Sequence, residues 1–140
     1  MKSKFYFLLL LSLILLSFTT DKFQKFDAEL VDIQFYSVNT CNQENSIYIR
    51  VVYEVDYKNL SSLKMKQNYD NDISSTIPVN YFDKKGHVIY DFCSLPGINK
   101  SFTTIFIDTK GRESNPVTVN IDFSKAEIIS GTAPQVISIN

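Results

Sequence analysis

Three groups of residues in this 140-residue chain are of types that do chemistry: Cys41 and Cys93, the lone His87, and the run Asn68-Tyr69-Asp70-Asn71-Asp72. A serine or cysteine nucleophile needs a base within hydrogen-bond reach, normally histidine. His87 is the one histidine, and it follows Lys84-Lys85-Gly86 at the start of an apolar run. A histidine in that place is ordinarily solvated. The chain has no Gly-x-Ser-x-Gly elbow and no phosphate-cradling Gly-rich loop. Its 15 acidic residues offer many carboxylate pairs, and sequence alone places none at the spacing of a glycosidase. No catalytic residue is assigned, and the expectation is a non-catalytic protein, with a small secreted hydrolase as the lesser alternative.

The oxygen-bearing run from Asn68 to Asp72 alternates like a calcium loop but lacks its other parts. Ile73 stands where the loop needs glycine, and Val79 where it needs a bidentate glutamate. An Asx-rich turn is the simpler reading. Two distant cysteines and one histidine also lack the clustered spacing of a zinc site. No metal and no cofactor are expected.

Residues 1–19 have the pattern of a secretory signal. Lys2 and Lys4 precede an apolar run from Phe5 to Leu16, and Ser17 and Thr19 are small enough to flank a cleavage after Thr19. A membrane span needs about 20 apolar residues. Phe5 to Phe18 supplies 14 positions before Asp21, Lys22 and Lys25 end the run. No cysteine follows the run closely enough to accept a lipid. The chain is expected to be secreted, periplasmic or on the cell surface, with no transmembrane segment after cleavage. In an oxidising compartment, Cys41 and Cys93 have one intrachain pairing available, closing a loop of 52 residues.

Without Lys2 and Lys4 the chain carries 12 basic and 15 acidic residues, a net charge of -3. A binder of nucleic acid draws its affinity from neutralising phosphates, so no nucleic-acid partner is expected. With 44% hydrophobic and 21% charged residues, the composition is that of a folded domain.

The elements that must position these residues read as strands. Ile47, Ile49, Val51, Tyr53, Val55 and Tyr57 alternate with Tyr48, Arg50, Glu54 and Asp56, Val52 being the one apolar residue on the second face. Val117, Val119, Ile121 and Phe123 alternate with Thr118, Asn120 and Asp122. Val31, Ile33 and Phe35 alternate with Asp32, Gln34 and Tyr36. Further strands are expected over residues 87–92, 102–107 and 63–67. A short edge strand is expected over 77–81, its Pro78 unable to donate to a ladder. Turn-rich clusters at 59–62, 70–72, 83–86, 96–99 and 110–115 punctuate the pattern. About seven antiparallel strands without a long helix predict an all-β sandwich over residues 20–123, with a small closed barrel as the alternative.

The segment Phe102-Thr-Thr-Ile-Phe-Ile-Asp108-Thr-Lys-Gly111-Arg-Glu-Ser-Asn115-Pro-Val-Thr-Val-Asn-Ile121 resembles the final hairpin of bacterial immunoglobulin-like and fibronectin type III-like domains. The resemblance implies an immunoglobulin-like sandwich and says little about activity. In that arrangement Cys41 falls between the first two strands and Cys93 ends the fifth, both at one pole. The chain departs from antibody-type domains, since Cys41 precedes the second strand and there is no Trp.

Such a domain binds through its loops. Asn59 to Ser62 and Lys110 to Asn115 are expected at one pole, with Asn59, Ser62, Lys110, Arg112 and Asn115 as candidate contacts for a protein or glycan ligand. Tyr36 and Tyr48 are expected to be exposed opposite apolar stripes, and Tyr69 in a loop, where rings anchor partners. Asn59-Leu-Ser61 and Asn99-Lys-Ser101 fit the N-glycosylation pattern. Residues 124–140 form a tail. It either adds an edge strand to its own domain or is donated to the sheet of another copy, making a self-associating subunit.

Overall fold

The computed structural model describes residues 25–37, 41–70 and 73–138. The signal segment 1–19, its cleavage point, Asn71 and Asp72 lie outside the described residues. The chain is nearly all-β. Among the described residues the strands are β1 (Ala28–Tyr36), β2 (Ile47–Val55), β3 (Lys64–Tyr69), β4 (Ser74–Pro78), β5 (Tyr81–Phe82), β6 (Val88–Ser94), β7 (Lys100–Ile107), β8 (Val117–Ile121), β9 (Ile128–Ile129) and β10 (Ile137–Ser138), with a 3-10 turn at Leu60–Ser62.

Two sheets face each other, a sandwich rather than a closed barrel. One has the order β10-β5-β6-β2-β1-β9 and the other β4-β3-β7-β8. All neighbours are antiparallel except β1 and β9. The alternation read from the sequence makes the core. Ile49, Val51 and Tyr53 from β2 meet Met65 from β3, Phe102 and Phe106 from β7, and Val119 and Ile121 from β8. Burying each such side chain is worth roughly 1.5–3 kcal/mol. Tyr53 crosses the layer, its ring edge-on to Phe106 at 5.4 Å and its hydroxyl 2.9 Å from Thr104 Oγ1. The hydrogen bond lets a phenol sit in an apolar interior.

Three expectations need correction. The stripe Val31-Ile33-Phe35 is interrupted, because Leu30 pairs with Tyr53 and Asp32 with Val52, leaving Val31 as an extra residue in a bulge. A bulge shifts the alternation by one. Ala28 and Leu30 therefore pack inward along with Ile33 and Phe35, while Val31 is 45% exposed. Residues 77–81 are not one strand. Ile77 and Pro78 end β4 in one sheet, Val79 and Asn80 cross over, and Tyr81 begins β5 in the other. The strand count exceeds seven because β5, β9 and β10 are two-residue pieces.

The tail runs over its own domain. β9 pairs with the end of β1 (Phe35↔Ile128, Tyr36↔Ile129), and β10 pairs with β5 at the opposite edge of the same sheet (Ile137↔Phe82, Ser138↔Tyr81). Between these two pairings the chain crosses the outer face of the sheet as a strap.

Candidate functional site

The outer face of the first sheet is built by the side chains that the core alternation turns away from the interior: Gln34 and Tyr36 from β1, Tyr48, Arg50 and Val52 from β2, and Ile89 and Asp91 from β6. Tyr36, Arg50, Val52 and Ile89 are buried although none belongs to the core cluster. The strap covers them. Ala133 is buried, and Arg50 Nη1 donates to the carbonyl of Pro134 at 2.6 Å.

Arg50 is placed by register. It stands opposite Asp91 across β2 and β6, and its Nε and Nη2 donate to the two carboxylate oxygens at 2.9 and 2.8 Å. The Tyr48 hydroxyl donates to the same carboxylate. Burial and the Asp91 charge push the Tyr48 hydroxyl up to about 12. The hydrogen bonds that Arg50 donates to Asp91 in turn hold its guanidinium above its ordinary value. The result is a charge-neutral clasp under the strap. Tyr36 is thus not exposed as expected; it is 5% exposed, donates to Gln34 Oε1 at 2.8 Å and packs edge-on to Tyr48. Tyr48 is half-buried. Tyr69 ends β3 rather than lying in a loop, and its hydroxyl donates to Gln67 Oε1 at 2.9 Å.

Beside the clasp, at the edge of the sandwich, lies a cavity of about 400 Å³. Its walls are the crossing segment from Ile77 to Tyr81, the β6 residues Val88 to Asp91, and Val136 of the strap, with Met65 and Tyr48. Tyr81 in its wall is 50% exposed. A largely apolar concavity with a few polar groups is the usual form of a binding site. Alternation alone conceals it, because it arises where β5 diverges from β6 and the tail returns.

The segments flanking the two candidate contact loops lie side by side at one end of the second sheet. Lys64 at the start of β3 pairs with Ile107 at the end of β7, and Lys58 and Arg112 line one depression. Several of their side chains are occupied in holding the fold. Asp108 Oδ1 accepts from the N–H groups of Lys110 and Arg112, while Oδ2 accepts from Arg112 Nε at 2.6 Å and the Tyr57 hydroxyl at 3.2 Å. Burial raises the Asp108 carboxyl, but these hydrogen bonds outweigh it and leave the group below its ordinary value. Asn115 clamps β1 to the hairpin, its Oδ1 accepting from Ala28 N–H and its Nδ2 donating to Ala28 C=O, both at 2.8 Å. The Ser61 hydroxyl donates to Asn59 Oδ1, and that of Ser62 to the Asn59 carbonyl. The Lys110 side chain is the freest of the set, on an exposed turn residue.

Cys41 and Cys93 are bonded at the opposite pole, with Cα atoms 5.9 Å apart. The bridge ties the β1–β2 connection to the end of β6. His87 caps its own turn: Nδ1 lies 2.7 Å from Asp83 Oδ2, and Asp83 Oδ1 accepts from the N–H groups of Lys85 and His87. Among the described residues no group of three or more His, Cys, Asp or Glu is arranged to hold a metal ion. No helix among them is long and apolar enough to cross a membrane.

Comparison of the chain with protein-family models, with curated proteins and with solved structures found no match.

Proposed function

We propose that this protein is a non-catalytic binding module of an extracytoplasmic compartment, with a fibronectin type III-like fold. The fold type is supported by two facing sheets, one containing β6-β2-β1 and the other β4-β3-β7-β8, together with the resemblance of residues 102–121. The compartment is supported by the Cys41–Cys93 bridge together with the signal-like residues 1–19. Disulfides of this kind persist outside the reducing cytosol.

The observation that carries the binding reading is the apolar cavity at the sheet edge, with half-exposed Tyr81 in its wall. Exposed apolar surface of this kind, around a concavity, marks an interaction site more often than chance. His87 is engaged with Asp83 within its own turn, a structural use of the one histidine.

The test is recovery of the protein from its source, with three readouts. N-terminal sequencing should begin at Thr20, thiol labelling should fail without a reductant, and chemical cross-linking in an envelope extract should give a recurring adduct with a foreign macromolecule. An intact N-terminus with reduced cysteines, or turnover of chromogenic esters or glycosides by the pure protein, would contradict the proposal.

A second reading is self-association through the C-terminal strand. It is favoured by exposure of Ile128, Ile129 and Ile137 on strands of two residues each. Removal of the tail after Phe123 abolishes assembly on that reading, and an unchanged oligomer refutes it.

A further inference from the structure

Strand β6 is paired with β2 from Val88 to Ser94. On its other side it is paired once, at Val88 with Phe82, because the chain before β5 leaves for the second sheet. Among the described residues no strand lies against the outer edge of β6 from Ile89 to Ser94. The other edges of this sheet are treated differently: β9 occupies the edge of β1 and β10 that of β5. A free strand edge is a row of backbone donors and acceptors that templates another strand.

The apolar cavity opens on this same stretch, with Val88, Ile89, Tyr90 and Asp91 in its wall. Its one carboxylate, Asp91, is neutralised by Arg50. Nothing there compensates a charged side chain for loss of water, so the cavity selects an apolar one.

We propose that the free edge of β6 and the adjoining cavity accept an extended, uncharged segment of a partner polypeptide. The segment adds as a strand along Ile89 to Ser94 and seats one aliphatic side chain between Ile77, Tyr81 and Val136. Main-chain hydrogen bonds supply affinity and the cavity supplies selectivity. The backbone edge is what favours a polypeptide over a small apolar molecule, which would use the cavity alone. The inference rests on the binding reading above and names the partner class for its site.

The probe is a capped, dye-labelled heptapeptide of alternating threonine and valine, set against the same peptide with proline at its centre. Binding to the disulfide-bonded protein is read by fluorescence anisotropy, and backbone protection by hydrogen exchange. Saturable binding, weakened roughly tenfold by the proline, with new protection confined to Ile89–Ser94, is the expected result. Ile77→Lys should weaken binding by a similar factor. Because Ile77 also touches the core, Tyr81→Ala at the exposed rim is the paired variant, with far-ultraviolet circular dichroism verifying its fold. Absence of binding at millimolar peptide, equal binding of the proline peptide, or binding unaffected by Tyr81→Ala would overturn the proposal. Protection mapping instead to Lys110–Asn115 would overturn this site and leave the binding reading standing. Concentration-dependent protection of Ile89–Ser94 without peptide would make a second copy the occupant and overturn the foreign partner.

Discussion

Arg50 and Asp91 face each other across β2 and β6 on the outer side of the sheet, joined by two hydrogen bonds, and the remaining Arg50 nitrogen reaches the strap at Pro134. Arg50 is 6% exposed. The pair therefore connects the sheet to the segment that covers it.

Arg50→Ala leaves Asp91 and Tyr48 without their cationic partner and frees the strap. The expected loss is about 3 kcal/mol, the range for removing one member of a largely buried pair, read from urea unfolding. Limited proteolysis should then cut within residues 130–136 faster than in the parent protein. Replacing both partners with Arg50→Met and Asp91→Leu should restore much of the stability, because no charge is left unpaired.

Removing the disulfide with Cys41→Ala and Cys93→Ala releases a closure of 52 residues. The chain-entropy relation gives a cost of about 4 kcal/mol, measured by urea unfolding as a fall in the midpoint with a steeper slope, since the unfolded chain is then free to expand. A loss below about 1 kcal/mol would mean that the β1–β2 connection is held equally well by packing.

Gln67 Nε2 is buried and makes no hydrogen bond of ordinary geometry, interacting only loosely with the Tyr90 hydroxyl, in a side chain that is 1% exposed. An unsatisfied buried donor costs about 1–3 kcal/mol. Gln67→Leu is expected to raise stability by about 1 kcal/mol, since the lost Oε1 bond to half-buried Tyr69 is replaceable by water. Thermal unfolding followed by circular dichroism checks it, and a fall would show that the amide has a partner in solution.

The pH dependence follows from Asp108. Its folded-state pKa is depressed by hydrogen bonds from Arg112, Lys110 and Tyr57. A depressed carboxylate contributes stability that is present above its unfolded pKa, near about 3.9, and is lost as pH falls through the lower folded value. Stability should therefore drop below about pH 4, and Asp108→Asn should flatten that part of the profile while lowering stability at neutral pH. An unchanged acid limb would assign the transition to other carboxylates.

The sequence showed where strands lie better than what covers them. Period-two alternation located β2 and β8 because one face of each packs on a core and local pattern records that. The bulge at Val31 left no local trace, since it is defined only by two residues of β1 facing one interval of β2. Tyr36 points outward as its position dictates, and outward means exposed only when nothing crosses the sheet. The strap that buries it comes from nearly a hundred residues later in the chain. Val52, an apolar residue on the face shared by Tyr48 and Arg50, was the available signal that this face is covered. Asp108 and Asn115 were legible as turn residues, but the Asn115 clamp on Ala28 depends on a contact across the whole domain. The cavity needed the divergence of β5 from β6 and the return of Val136, neither of which periodicity encodes.

The most direct test of a binding module working through this edge is site-specific photo-cross-linking in an envelope extract from the source. A photoreactive phenylalanine analogue replaces Tyr81 in one sample and Lys110 in another. The account predicts a recurring adduct between position 81 and one foreign polypeptide, mapped to an apolar, extended stretch of it. Adducts formed only from position 110, only with a second copy, or from neither position would contradict it.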